Sequence, residues 1–325
     1  MWTQESTEAG PGVATAFAMR VTEVRDEAAG VRSFRLARTD GEPLPHWEPG
    51  AHIDVTVADG TERQYSLCGD PAGDTWQIAV LREEGGRGGS RHLHDNVRAG
   101  SALRVRGPRN HFPLVTAPGY LFIAGGIGIT PLRPMIERVR ASGVPWRLVY
   151  GGRTREGMAF AAELAALGPQ AVLRPEAEHG LLPVAEEIER AGPEVAVYCC
   201  GPEPLLSAVE SACRGLGRPE PHVERFTALP LDDSETAAFE IELAGTGEVF
   251  LVGPDVSIMD VLEENGHPVD SSCQEGICGT CETGVLRGTP IHRDSVLTAA
   301  DHARGDCMMV CVSRAAAGER LVLDR

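Results

Sequence analysis

The sequence predicts a multidomain chain: an antiparallel β-barrel, an α/β domain with a parallel sheet, and a small C-terminal domain organised around a cysteine loop. Three observations predict it. Short stretches of alternating apolar and polar residues follow one another from Phe17 to about Pro113, with no long helical period before His92; half-buried strands closing on themselves read this way. From about 117 to 226 apolar strands alternate with helical stretches, which calls for parallel pairing and for ligands at the strand C-terminal ends. Ser271 to Cys281 then places thiols at Cys273, Cys278 and Cys281, with Cys311 further on. At 325 residues the chain is also too long for one ordinary core. The expected domains span residues 15–115, 116–228 and 238–325.

Residues 1 to about 15 are polar and acidic and read as a disordered leader without a secretory pattern. Alternation from Phe17 to Val24 and from Val31 to Ala37 predicts two antiparallel strands, and His52 to Val57 continues the pattern after the Pro49-Gly50 turn. Arg63-Gln-Tyr-Ser-Leu offers a guanidinium for a phosphate, a ring to stack on a flat cofactor and a hydroxyl beside it. Taken alone, such residues usually make only a strand. Arg82 to His94 is a glycine-rich loop running into a helix. Free amides at a helix start form an anion site, so this loop can hold a phosphate next to Arg63; in isolation it equally fits an exposed, flexible loop.

The character changes at Tyr120. An apolar run, Leu121 to Ala124, leads into Gly125-Gly-Ile-Gly-Ile-Thr-Pro and a helical stretch from Leu132 to Arg140, the layout of a nucleotide-binding βα unit without the full GxGxxG. Trp146 to Arg153 reads as the next strand, Met158 to Leu167 as a helix, Ala171 to Leu173 as a strand and Leu181 to Ala191 as a helix. Val195 to Cys200, followed by Gly201-Pro202, repeats the strand, turn and helix. Cys200 is either an ordinary buried thiol or a ligand-facing one, since it stands at a strand end. Residues 227–237 form a polar linker; Phe239 to Leu243 and Val249 to Val252 are strands, and Ser257 to Asn265 is a helix closed by Gly266.

The CxxxxCxxC spacing with a distant fourth cysteine is the plant-type [2Fe-2S] pattern. One compact loop must aim three thiolates inward and turn backbone N–H groups onto the sulfides, and Gly276 and Gly279 permit those turns. Cys311 lies in the apolar run Met-Met-Val-Cys-Val, expected to be a buried strand, which makes it the fourth ligand and Cys307 a spare. A structural zinc site would show paired CxxC knuckles, and a disulfide framework belongs to small secreted chains.

The net charge of −17 argues against nucleic acid, whose phosphates need a basic face. All 30 basic residues are Arg. From Asp233 onward 17 acidic residues face 6 basic ones, which reads either as a solubilising surface or as steering toward a basic patch on an electron acceptor. Five cysteines outside the cluster set point to a reducing cytosol, and no apolar run is long enough to span a bilayer. A soluble cytoplasmic protein is expected.

In their order, these motifs resemble the phthalate dioxygenase reductase family, which includes vanillate O-demethylase reductases and the reductase modules of self-sufficient P450s. The resemblance runs from about Phe17 to Arg325. It implies a flavin-binding barrel, an NAD(P)H-binding α/β domain and a β-grasp, ferredoxin-like C-terminal domain. It implies that Arg63 pairs with the FMN phosphate, Tyr65 stacks on the isoalloxazine and Ser66 sits near the flavin N5, with Leu67 completing the motif. Gly88, Gly89 and Ser90 match a phosphate loop that favours FMN over FAD, and Val80 and Arg82, leading into it, join the cofactor-binding set. Gly125, Gly126, Gly128, Ile129, Thr130 and Pro131 match the dinucleotide turn, Cys200, Gly201 and Pro202 the motif facing the nicotinamide, and Phe226 an aromatic that covers the flavin. Ser66 and Cys200 are the residues expected at the reacting atoms. Cys273, Cys278, Cys281 and Cys311 are the metal ligands. NADH is the family's usual donor; Arg153-Thr-Arg155 could meet a 2′-phosphate, which leaves NADPH open.

A hydride brings two electrons and the cluster accepts one, so a flavin must stand between them. The expected function is an electron-transfer reductase serving an oxygenase, either a Rieske-type enzyme or a cytochrome P450, and working as a monomer. An iron–sulfur sensor with inert flavin and nucleotide motifs is the contrasting reading.

Overall fold

The computed structural model describes residues 16–57, 60–228 and 237–325; the expected leader and most of the expected linker lie outside them. The first unit contains β1 (Ala16–Ala28), β2 (Val31–Arg38), β3 (His52–Thr56), β4 (Glu62–Ser66), β5 (Trp76–Leu81), α1 (Gly89–Asn96) and β6 (Ala102–Arg109). Its strands are ordered β4-β3-β6-β1-β2-β5, and a bridge from Leu67 to Ile78 brings the two ends together into a barrel. Alternation made this legible. Phe17, Met19 and Val21 point inward while Ala18 and Arg20 point out, and Phe34, Leu36, Ile53, Trp76 and Ile78 fill the interior. Each such side chain stabilises by roughly 1.5–3 kcal/mol on burial.

The second unit runs β7 (Tyr120–Gly125), α2 (Ile129–Ser142), β8 (Trp146–Gly152), α3 (Ala161–Ala165), β9 (Ala171–Pro175), α4 (Glu176–His179), α5 (Val184–Ala191), β10 (Ala196–Cys200), α6 (Glu203–Gly215) and β11 (His222–Glu224). The sheet, β11-β10-β7-β8-β9, is parallel throughout. Every residue of the central strand β7 is buried, because one sheet face packs on α2 and the other on α5 and α6. Two helices are shorter than expected. Phe160 caps α3 in a left-handed conformation, φ 59°, which delays its start, and Pro183 stands just ahead of α5.

The third unit holds β12 (Phe239–Leu243), β13 (Val249–Val252), α7 (Ile258–Glu264), β14 (Glu282–Arg287), β15 (Pro290–Ile291), α8 (Ala299–Arg304), β16 (Cys307–Met309), β17 (Arg314–Ala315) and β18 (Arg320–Leu323). Its main sheet is β13-β12-β18-β14-β16, with β12 and β18 parallel and the hairpin partner β13 antiparallel, and α7 packed on the same core: a β-grasp. Ser257 and Asp260 form a capping box that fixes where α7 begins. One expectation fails here. Cys311 is not on a strand but in the turn after β16, where tight backbone curvature rather than sheet pairing presents its thiol. No helix among the described residues is long and apolar enough to cross a membrane.

Candidate functional site

The strand β4 is where the three units meet. Along it Arg63 and Tyr65 fall on one face and Gln64 and Ser66 on the other, so successive side chains face different neighbours. Arg63 lies under the glycine loop: a Cβ on Gly89 would come within 2.7 Å of its Cγ. Gly88 adopts φ 93° and caps α1 without a side chain, which leaves the first amides of the helix free for an anion. Burial pushes the Tyr65 phenol up to about 12, so it stays neutral. Leu67 and Val80 are buried in the barrel behind it. Ser90 and Arg82 are otherwise engaged: the Ser90 hydroxyl accepts from the Glu83 amide at 3.0 Å, and Arg82 pairs with Glu84 and Asp95 at 2.7 and 2.5 Å.

On the nucleotide side the turns after β7 and β10 press together. A Cβ on Gly128 would stand 2.2 Å from the Cys200 carbonyl oxygen, and one on Gly201 2.9 Å from the Gly125 Cα; only glycine allows that approach. A Cβ on Gly125 would likewise meet Pro202 at 2.7 Å, whereas Gly126, at φ 54°, faces open space. Thr130 and Pro131 are buried in the first turn of α2, with the threonine hydroxyl donating to the Ile127 carbonyl at 2.9 Å. Arg133 of the same helix donates to the Cys68 carbonyl of the barrel, which fixes the two units against each other.

The register of β10 and β11 sets Cys200 opposite Glu224. The Cys200 thiol lies 4.0 Å from Glu224 Oε2, and burial pushes that thiol well above its ordinary value. Burial also raises the Glu224 carboxyl to about 8, while a hydrogen bond from Ser66 of β4 pulls it back. Ser66 and Cys200, both buried, and the half-buried Glu224 therefore form one cluster across the barrel–sheet junction. Glu224 escaped sequence reading, since its partner emerges only from a parallel pairing of strands more than twenty residues apart. Phe226, two residues on, is 41 % exposed. Arg153 is exposed beyond the end of β8, and Arg155 is held by Glu178 at 3.3 Å.

The cysteine loop completes the site. Cys273, Cys278, Cys281 and Cys311 are all buried. The thiols associate in two pairs, Cys273 with Cys278 and Cys281 with Cys311. Cys273 pushes Cys278 down to about 6, and is itself raised. Amides of Glu275 and Ile277 bond to Cys273, that of Gly276 to Cys311, and the Thr280 hydroxyl lies 3.2 Å from Cys278. Among the described residues no three of these thiols lie within 4.8 Å of one another, too spread for one tetrahedral zinc with sulfurs about 2.3 Å from the metal. Two thiol pairs under a cradle of amides fit a binuclear cluster.

This loop rests on β3, β4 and β6. Gln64 donates to Ser272 at 2.5 Å, Ser272 to Asp54 at 3.0 Å, and Arg106 pairs with Asp270. Arg87 of the glycine loop pairs with Glu275 at 2.9 Å, and the His111 ring lies against Gly279.

Comparison with known proteins agrees with this geometry. Residues 241–316 match the 2Fe-2S iron-sulfur cluster binding domain model, and residues 122–211 the oxidoreductase NAD-binding domain model. The phthalate dioxygenase reductase of Burkholderia cepacia is 37 % identical over 313 residues, covering 94 % of this chain and 96 % of that one. The chain belongs to the phthalate dioxygenase reductase family. Phenoxybenzoate dioxygenase subunit beta of Ectopseudomonas oleovorans is 42 % identical over 309 residues, 94 % of this chain and 96 % of its own length. A solved structure of a phthalate dioxygenase reductase, a modular structure for electron transfer from pyridine nucleotides to [2Fe-2S], superposes with TM-score 0.67 at 36 % identity over 95 % of this chain and 98 % of that one. An intact type IV self-sufficient cytochrome P450 monooxygenase gives TM-score 0.90 at 41 % identity over 95 % of this chain, which spans only 41 % of that longer one. The chain is thus an NAD(P)H-dependent flavin iron–sulfur oxidoreductase, with NAD(P)H, FMN and a [2Fe-2S] cluster as its cofactors.

Proposed function

We propose that the chain passes electrons from NADH through FMN and a [2Fe-2S] cluster to a Rieske-type oxygenase. One observation carries the order of transfer: on β4, the Ser66 hydroxyl faces the Glu224 carboxyl of the nucleotide unit, Gln64 donates to Ser272 beside the first cluster cysteine, and Tyr65 lies between them along the strand. When bound, the flavin supplies the conversion from hydride to single electrons that the cluster requires.

Arg63 and the free amides at Gly89 hold the flavin phosphate, and Tyr65 supplies the stacking face. Ser66, Cys200 and Glu224 shape the wall where nicotinamide meets flavin; hydride transfer needs orientation there, not a base. The thiol and the carboxyl stay protonated near neutral pH and present donors without adding charge. Gly125 to Pro131 let the dinucleotide approach the backbone. Arg155, held by Glu178, is already neutralised, and that carboxylate would repel a 2′-phosphate, which favours NADH. The acidic excess of the C-terminal unit steers it to a basic acceptor. A second reading, redox partner of a cytochrome P450, draws on the likeness to the self-sufficient P450.

Anaerobic titration of the purified chain, followed by absorption, tests the proposal. Flavin and cluster bands should both bleach with NADH at far lower concentration than with NADPH. Cluster bands untouched by either nucleotide would remove the reductase reading. Arg63→Ala should purify with most of its FMN lost, and full flavin content would remove the phosphate role. Turnover of a Rieske oxygenase against that of a P450, each supplied with the reduced chain, separates the two acceptors.

A further inference from the structure

Behind the cysteine loop, three side chains used by none of these steps converge. Asp294 buries its carboxylate completely: Oδ1 accepts from the Val296 and Leu297 amides at 3.0 and 2.8 Å, while Oδ2 has no hydrogen-bond partner among the described residues. Facing Oδ2 are His292 Nδ1 and His302 Nε2, each at 3.7 Å and each without a hydrogen bond there. The His292 side chain is only 7 % exposed, and both of its ring nitrogens lack partners. Buried polar atoms without partners are costly. Here three of them, His292 Nδ1, Asp294 Oδ2 and His302 Nε2, face one another.

We propose that His292, Asp294 and His302 bind a divalent late first-row transition cation, of the zinc type. The donor set is two imidazoles and one carboxylate oxygen, which suits such ions and not the oxygen-seeking Mg²⁺ or Ca²⁺. The ligand atoms all lie within 4.8 Å of one another. Tetrahedral zinc at about 2.0–2.1 Å from each would draw them to about 3.3 Å apart, so each imidazole nitrogen closes on Oδ2 by a few tenths of an ångström from 3.7 Å. The two rings now stack, centroids 4.2 Å apart and 9° from parallel, and one must turn so that both lone pairs meet the ion. His302 is free to do so: it sits on the short helix α8 with its side chain 34 % exposed. Burial and the neighbouring His302 ring both lower the His292 pKa, which keeps that imidazole neutral and ready to coordinate. A water takes the remaining position.

The site touches the cysteine loop without sharing a ligand with it. The Ser295 amide donates to the Gly276 carbonyl at 2.9 Å, and a Cβ on Gly276 would lie 3.1 Å from the Asp294 Cα. The bound cation would therefore tie α8 and the chain after β15 to the loop that carries Cys273 and Cys278.

The test uses the full chain with flavin and cluster intact, freed of loose metal by chelator and gel filtration. Calorimetric titration with Zn²⁺, followed by metal analysis, should find one zinc per chain beside the two cluster irons. His302→Ala, a substitution on a surface helix, should weaken zinc by about tenfold or more with the flavin and cluster spectra unchanged, and His302→Cys should restore it. His292→Ala should do the same, unless its buried position disturbs folding, in which case His302→Ala decides. No zinc uptake at about 100 μM, some hundredfold above an ordinary micromolar site, overturns the proposal. So does uptake that His302→Ala leaves unchanged.

Discussion

The flavin barrel has two junctions, and they are built differently. Toward the nucleotide sheet the contact is close: Arg133 donates to the Cys68 carbonyl, and Ser66 faces the half-buried Glu224 and the buried Cys200, beside glycine turns that touch backbone to backbone within the sheet unit. Toward the cysteine loop it is polar and ion-paired, through Gln64, Arg106 and Arg87. A hydride must travel between stacked rings, so its junction is shaped for fit. Single electrons need only proximity, so the other junction is held by interactions that water and salt can loosen.

The largest way to break the pairing of the two junctions is to remove the polar one's cargo. Cys281→Ser takes away one member of the Cys281–Cys311 thiol pair. NADH should still reduce the flavin at the wild-type rate, while delivery to the oxygenase falls to background, on the order of a thousandfold or more, as expected when the sole carrier is lost. Stopped-flow bleaching of the flavin and oxygenase turnover check this together. Turnover within tenfold of wild type would mean that the cluster is not the exit.

Gly128→Ala tests the fit on the nucleotide side of the other junction, where the turns after β7 and β10 press together. Its Cβ would meet the Cys200 carbonyl oxygen at 2.2 Å and the Gly201 amide at 2.6 Å, all backbone that cannot swing aside. Overpacking of this kind costs about 1–3 kcal/mol, and flavin reduction by NADH should slow by roughly tenfold to a hundredfold. Flavin-to-cluster transfer should not change. Equal slowing of both steps would show the two junctions to be one mechanical unit.

Glu224 gives the nucleotide junction a pH signature. Its carboxyl rises from 4.5 to about 8 on folding because burial disfavours the charge. The folded chain then holds a proton that the unfolded chain releases, so this group's contribution to stability is complete below about pH 4.5 and is lost as pH climbs to 8. Glu224→Gln, which cannot ionise, should flatten that decline and leave the variant more stable at pH 9 by up to a few kcal/mol. Urea denaturation of holoprotein between pH 5 and 9 reads the slope. Parallel wild-type and variant profiles would mean that the carboxyl is not shielded.

The same contrast governs what the sequence could show. The fold class was legible because burial follows simple periods: two along β1, near-continuous apolarity along β7, and a fixed cysteine spacing before β14. The cluster-binding domain was legible too, since its cysteines stand at a fixed spacing in one stretch of chain. Glu224 was not, because Cys200 comes from another strand and Ser66 from another unit. Nor were Ser272 and Asp270, ordinary polar residues until β4 and β6 are set beside them. The turn at Cys311 was misread as strand because buried turns and buried strands carry the same apolar residues. Arg82 shows the converse: an arginine next to a phosphate loop turns out to be spoken for by Glu84 and Asp95.

The smallest effect should come from loosening the polar junction. Asp270→Asn removes one charge from the Arg106 pair, but Arg106 keeps Glu62 at 3.2 Å, so no buried cation is stranded. The Asp270 side chain is 32 % exposed, and water already screens the bond, so about 1 kcal/mol or less is at stake. Flavin-to-cluster transfer should slow by a few-fold at low ionic strength, with hydride transfer untouched. Salt screens the wild-type pair as the substitution does, so the two rates should converge as salt is raised. A constant ratio across ionic strength would show that Asp270 acts through shape and not charge, and the loosely held junction would then be as much a matter of fit as the nucleotide one.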